Sequence, residues 1–121
     1  TALSAAQQAF TDWSQMPVAE RADCVERFAK LLEAHREELY AIACFEAGKT
    51  WFDSIAEVRE AIDFCYYYAE QARGLLTEPR YFSGYTGEAN AMSLHPRGTV
   101  LCISPWNFPL AIFMFSVSPF A

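Results

Sequence analysis

The stretch that most constrains this chain runs from Arg97 to Leu110, Arg-Gly-Thr-Val-Leu-Cys-Ile-Ser-Pro-Trp-Asn-Phe-Pro-Leu. Pro96-Arg97-Gly98 is turn chemistry, with φ fixed at the proline and free at the glycine. Thr99 to Ile103 is short, apolar, uncharged and rich in β-branched residues. Such a run reads as a strand buried on both faces, as in a parallel sheet. Ser104-Pro105-Trp106-Asn107-Phe108-Pro109 then stops it, because neither proline can donate to a ladder and each steers its predecessor away from helix. Open α/β sheets place ligands in loops of this kind, beyond the carboxyl ends of their strands.

The residues before this stretch read mainly as helix. Thr1 to Ser14 is rich in Ala and Gln, anchored by Phe10 and Trp13. Pro17 suits a helix's first turn. From Val18 onward, Val25, Phe28, Leu32, Leu39 and Ile42 fall largely on one stripe, with Ala29 and His35 beside it and charged residues elsewhere. Gly48 fits the left-handed residue that closes such a helix. Thr50 caps the next one, with Asp53 at the capping-box position. There Ile55, Val58, Ile62, Cys65, Ala69 and Ala72 form a seam, read as packing against the preceding helix. Gly74 marks its end. Arg80–Tyr85 and Ala89–His95 read as two short strands around a loop containing Gly87. Pro119 ends any helix near it.

With 121 residues the chain is one domain at most. A hydrophobic content of 53% is high for a chain whose surface is large for its volume, so some apolar surface should want a partner, including another copy of itself. A net charge of −6 argues against nucleic acid and anionic lipid as partners. Cys24, Cys44, Cys65 and Cys102 form no Cys-x-x-Cys pair and have no histidine at ligand spacing, so neither a disulfide framework nor a metal site is expected. Cys102 is expected to be buried and inert. The first residues lack the basic and apolar regions of a signal peptide, and no run is long enough to span a bilayer, which points to the cytoplasm.

Ile103-Ser104-Pro105-Trp106-Asn107-Phe108-Pro109 resembles the strand-loop signature of the aldehyde dehydrogenase superfamily, and Glu46-Ala47-Gly48-Lys49 resembles the Glu-x-Gly-Lys that closes an early helix there. The run from Ile55 to Ala69 is similar to the dehydrogenase half of proline utilization A proteins, which oxidise glutamate semialdehyde (pyrroline-5-carboxylate) to glutamate. The likeness covers residues 19–113 and fails after Phe113. It implies an α/β fragment, the incomplete N-terminal part of an aldehyde dehydrogenase domain. Residues 1–78 would be mainly helical, 79–95 a β-ribbon that pairs with another subunit, and 96–121 the first strand of the nucleotide-binding domain, a loop and a helix start. A deliberate cut, a truncated gene or a shifted reading frame would each account for such a piece.

The resemblance also assigns roles. Asn107 matches the asparagine whose side-chain N–H donates to the oxyanion; spacing alone favours an Asx turn there. Ile103, Ser104, Pro105 and Trp106 match positions lining the NAD site near the nicotinamide and its ribose, although a buried strand end with a packed indole is the plainer reading of the residues. Glu60 lies on the helix that borders the aldehyde entrance and is a substrate-facing candidate, with a solvated glutamate as the alternative. The nucleophilic cysteine and general-base glutamate of the family lie beyond residue 121, and no cysteine here holds the matching position. The expectation is a part of an NAD-dependent enzyme acting on a small aldehyde, inactive alone. The alternative is a non-catalytic helical interaction module.

Overall fold

The computed structural model describes residues 1–120. Five helices and one small hairpin follow in order: α1 (Ala2–Gln15), α2 (Val18–Ala34), α3 (Arg36–Ala47), α4 (Trp51–Leu76), β1 (Arg80–Phe82), β2 (Asn90–Met92) and α5 (Ala111–Val117), with a 3-10 turn at Ser118–Phe120. This is the helix-rich α/β arrangement expected.

The core lies where α2, α4 and α5 meet. Ala22, Val25, Ala29 and Leu32 recur at three- and four-residue steps along one face of α2 and are buried. They meet Ala61, Cys65 and Ala69 of α4 and Ala111 and Met114 of α5. Alanines occupy many of these positions, and side chains that small let the helix axes approach closely. Phe28 and Ile42, placed on the apolar stripe by their size, are instead 41% and 43% exposed. At the α2–α4 contact small residues are selected, since large ones such as Phe28 would hold the helices apart; Ile42 lies on α3, outside that contact. At the far end, Arg73, close to the end of α4, pairs with Glu26 at 2.5 Å and Asp23 at 2.7 Å in the first half of α2, as antiparallel helices place them. Hydrogen bonds to Glu26 and then to Asp23 raise the Arg73 pKa above its ordinary value.

The helix expected from Val18 to Gly48 bends at His35, where φ is −101° and ψ 13°. No proline or glycine causes it, and the backbone ladder nearly persists, with His35 N–H donating to Leu31 O at 3.0 Å and Leu39 N–H to His35 O at 3.1 Å. The bend brings α3 onto the start of α4, where Tyr40 and Trp51 meet edge to face at 5.6 Å and Cys44 Sγ lies 3.1 Å from Ser54 Oγ. Gly48 ends α3 with φ of 65°, a left-handed residue that turns the chain, and Lys49 N–H donates back to Ala43 O at 3.3 Å. Thr50 caps α4 by accepting from Asp53 N–H at 3.2 Å. Gly74 does not stop α4, which continues to Leu76.

The hairpin is shorter than expected. Arg80 pairs with Met92, Tyr81 with Ala91 and Phe82 with Asn90, antiparallel, and every one of these residues is exposed. The run Thr99–Ile103 departs further from expectation. It pairs with no strand among the described residues, and Leu101 and Ile103 are 83% and 80% exposed. A strand buried on both faces needs strands on both edges, and none pairs with this run among the described residues. α5 stops at Val117, as Pro119 leads one to expect, and Pro119 sits in the 3-10 turn that follows.

Candidate active-site loop

The loop after Ile103 is built from α4 outward. Ser54, Glu57, Val58 and Ala61 lie on the buried face of α4. Glu57 is the unusual member, a carboxylate only 1% exposed. An isolated buried carboxylate is costly unless it is paired and hydrogen-bonded, and Glu57 is both. Its Oε1 accepts from the backbone N–H of Leu110 at 2.8 Å and of Ala111 at 3.5 Å. Its Oε2 lies 2.6 Å from Lys49 Nζ, itself only 10% exposed. Lys49 Nζ also lies 4.3 Å from the centroid of the Phe108 ring, a cation–π contact. Lys49 is the last residue of the Glu46-Ala47-Gly48-Lys49 motif, and the left-handed turn at Gly48 aims it toward α4.

The loop is therefore held on both sides of Pro109, through the Phe108 ring before it and the two backbone N–H groups after it. Upstream, residues 103–107 present another surface. Ile103 is 80% and Trp106 79% exposed; Pro105 and Asn107 are also exposed. Ser104 is half-buried, and its Oγ is buried with no hydrogen-bond partner. Thus Ile103, Ser104, Pro105, Trp106 and Asn107 form one contiguous segment. Trp106 is not the packed indole of the plainer reading. Glu60 stands apart on the exposed side of α4, with no hydrogen bond or ion pair recorded among the described residues. The α4 glutamate that meets the loop is Glu57.

Sequence reasoning missed Glu57, as it left Lys49 without a role. A signal was present: Glu57 lies three residues after Ser54 and four before Ala61, so it shares their face and that of Cys65. A charge inside an apolar helical period calls for a partner, and the nearest preceding cation in the sequence is Lys49.

The cysteines play other parts. All are free. Burial pushes the Cys65 thiol pKa up, against a smaller lowering from Ser118. Cys102 is half-buried and donates to Ser116 O at 3.3 Å, which ties the segment before the loop to α5. His35 lies 3.4 Å from Glu38, and His95 Nε2 lies 3.0 Å from Ser93 Oγ; neither touches the loop.

The aldehyde dehydrogenase family model matches residues 1–121. The chain belongs to the aldehyde dehydrogenase family. The match extends the likeness past residues 19–113 in both directions, so α1 and the residues after Phe113 are part of it. The bifunctional protein PutA of Escherichia coli (strain K12) is 46% identical over 101 residues, covering 84% of this chain and 7% of that protein. The 1-pyrroline-5-carboxylate dehydrogenase of Staphylococcus saprophyticus is 35% identical over 111 residues, covering 92% of this chain and 21% of that protein. Among solved structures, a mutant of Bradyrhizobium japonicum proline utilization A superposes with a TM-score of 0.89 at 45% identity, over 97% of this chain and 12% of that one. An NAD-dependent benzaldehyde dehydrogenase from Corynebacterium glutamicum gives 0.83 at 34% identity, over 98% of this chain and 25% of that one. The chain thus spans about a fifth or less of the curated relatives it matches. No helix among the described residues is long and apolar enough to cross a membrane.

Proposed function

We propose that the chain is the N-terminal part of an NAD-dependent dehydrogenase that oxidises glutamate semialdehyde (pyrroline-5-carboxylate) to glutamate in proline catabolism. The observation that carries this reading is the loop itself, anchored to the core after Phe108 and open to an incoming molecule from Ile103 to Asn107. Its likeness to PutA and pyrroline-5-carboxylate dehydrogenases supports the substrate class.

In this reading Asn107 Nδ2–H donates to the oxyanion formed when a thiolate attacks the aldehyde carbonyl. An amide suits the task because it is a neutral donor that neither gains nor loses a proton. A preorganised donor of this kind lowers the barrier by about 3 kcal/mol. The exposed faces of Ile103 and Trp106 fit an aromatic ring lying against them, and the unpartnered Ser104 hydroxyl fits a site completed by a polar group. Ile103, Ser104, Pro105 and Trp106 would hold the nicotinamide and ribose end of NAD. Bound NAD would supply the hydride acceptor. The exposed Glu60 is the substrate-facing candidate on α4.

The thiolate and the carboxylate that activates water come from outside residues 1–121, so the chain alone turns over no aldehyde. Its exposed apolar residues at Leu101, Ile103 and Trp106 favour self-association when nothing covers them.

The reading is tested by exchanging this segment for its counterpart in the E. coli bifunctional protein PutA. The chimera is expected to reduce NAD with glutamate semialdehyde, and Asn107→Ala in it to lower kcat by about 100-fold or more. A folded chimera whose turnover is indifferent to Asn107→Ala would contradict the assignment.

A further inference from the structure

The Glu46-Ala47-Gly48-Lys49 motif has so far only ended a helix. Its lysine reaches the buried face of α4, and three contacts converge there. Lys49 Nζ meets Glu57 Oε2 at 2.6 Å and the Phe108 ring at 4.3 Å, while Glu57 Oε1 takes the N–H of Leu110 at 2.8 Å. Phe108 directly follows Asn107 in the sequence, and Leu110 lies just past Pro109. We propose that Lys49 and Glu57 are positioning residues that fix where the Asn107 amide points. The inference rests on the oxyanion-donor reading of Asn107.

The physical case is one of reach and stiffness. Asn107 is exposed, and the structure records no hydrogen bond from its side chain. Nothing local therefore fixes its direction except the backbone on either side. Pro105 and Pro109 restrict φ at two points but do not connect the loop to the body of the protein. The connection comes from Glu57, whose two oxygens divide the work: one holds backbone beyond Pro109, and the other holds the lysine that lies against Phe108. Both charges are almost wholly buried, so water neither screens nor replaces them. A carboxylate suits the place because one oxygen accepts from the backbone while the other pairs with the lysine. A donor for an oxyanion must be held to within a fraction of an ångström, since the stabilisation depends on its being in place beforehand.

The test uses the chain itself, labelled with 15N, and reads the Asn107 side-chain amide signals and the exchange rates of the Leu110 and Ala111 amides. In Glu57→Gln and Lys49→Gln the Asn107 amide is expected to lose its single set of sharp signals. In Glu57→Gln the Leu110 amide should also exchange about tenfold faster relative to amides of α4. Phe108→Leu, which removes only the ring against Lys49 at a partly exposed position, should disorder Asn107 while leaving Leu110 protected. It decides the matter if the Glu57 variant does not fold. Glu26→Gln is the control: it weakens the distant Arg73 cluster and should leave Asn107 unmoved. Equal disturbance by Glu26→Gln and Glu57→Gln, or an Asn107 signal unchanged in Phe108→Leu and Lys49→Gln, would overturn the proposal.

In the PutA chimera, Lys49→Gln and Glu57→Gln should lower kcat about tenfold with little change in KM, because the lost interaction is made only in the transition state. If Asn107→Ala lowers kcat and these variants do not, the positioning role fails alone. If Asn107→Ala has no effect, the oxyanion reading itself fails.

Discussion

Two regions of this molecule carry similar apolar sequence to opposite ends. The α2–α4 contact is closed: Ala29, Ala61 and Cys65 are fully buried and the facing residues are small. The segment from Thr99 to Asn107 is just as hydrophobic, yet Leu101, Ile103 and Trp106 are each about four-fifths exposed. The difference lies in what faces them. The helices supply each other's second layer within the chain. The segment has a buried anchor at one end and a tie to α5 at Cys102, and among the described residues nothing covers Leu101, Ile103 and Trp106. A core contact is fixed by mutual fit, whereas this segment is fixed at its end and through Cys102 and is left open at Leu101, Ile103 and Trp106, as a surface awaiting a ligand or a further layer must be. Glu57 is where the regions join, since it lies on the core face of α4 and bonds to the loop's exit.

Removing that joint should have the largest effect on stability. Glu57→Ala leaves Lys49 buried without its partner, and should cost about 3–5 kcal/mol in denaturant unfolding. A loss under 1 kcal/mol would mean that loop and core are not joined there. Next comes the closed contact. Ala61→Leu forces extra volume between α2 and α4 and should destabilise by about 1–3 kcal/mol. Tolerance of leucine would show the contact to be looser than its full burial implies.

A titration sharpens the contrast within the core. Burial pushes the Cys65 thiol pKa above its ordinary value of 9.0, so the folded state keeps the proton longer than the unfolded chain. The stability from this group is complete below the ordinary value and is lost as pH rises through the raised one. Unfolding free energy should therefore fall above pH 9.0, and less so in Cys65→Ala after allowance for its lower starting stability. Equal slopes would remove Cys65 from the account. The smallest effect is expected in the open region. Trp106→Ser should change stability by no more than about 0.5 kcal/mol. A loss of several times that would place the indole in the core and erase the distinction.

How much of this was legible in the sequence follows the same divide. Local chemistry read well: Gly48 adopts its left-handed turn, Thr50 caps α4, and the strands around Gly87 pair, because each depends on neighbours in sequence. Phe28 misled because a stripe drawn by hydrophobicity favours large residues, while two closely packed helices select alanines such as Ala22 and Ala29; Ile42 misled because the break at His35 ends the stripe drawn through it. Thr99–Ile103 reads as a buried strand because composition reports what a segment can bury, not whether the burying partners lie in the same chain. The loop residues Ile103 to Asn107 were found as one stretch, through resemblance more than spacing. Glu57 was missed because a glutamate on a helix reads as solvated until the period of its buried neighbours is drawn through it. Its bond to Leu110 joins residues far apart in sequence, which no local pattern encodes.

The most direct test of the two-region account is residue-resolved amide hydrogen exchange on the chain at neutral pH. Amides of α2 and α4 around Ala29, Ala61 and Cys65 should be strongly protected, those from Val100 to Trp106 should exchange nearly freely, and Leu110 and Ala111 should return to protection approaching that of α4. Fast exchange at Leu110 and Ala111, or protection spread evenly from Val100 to Ala111, would contradict it.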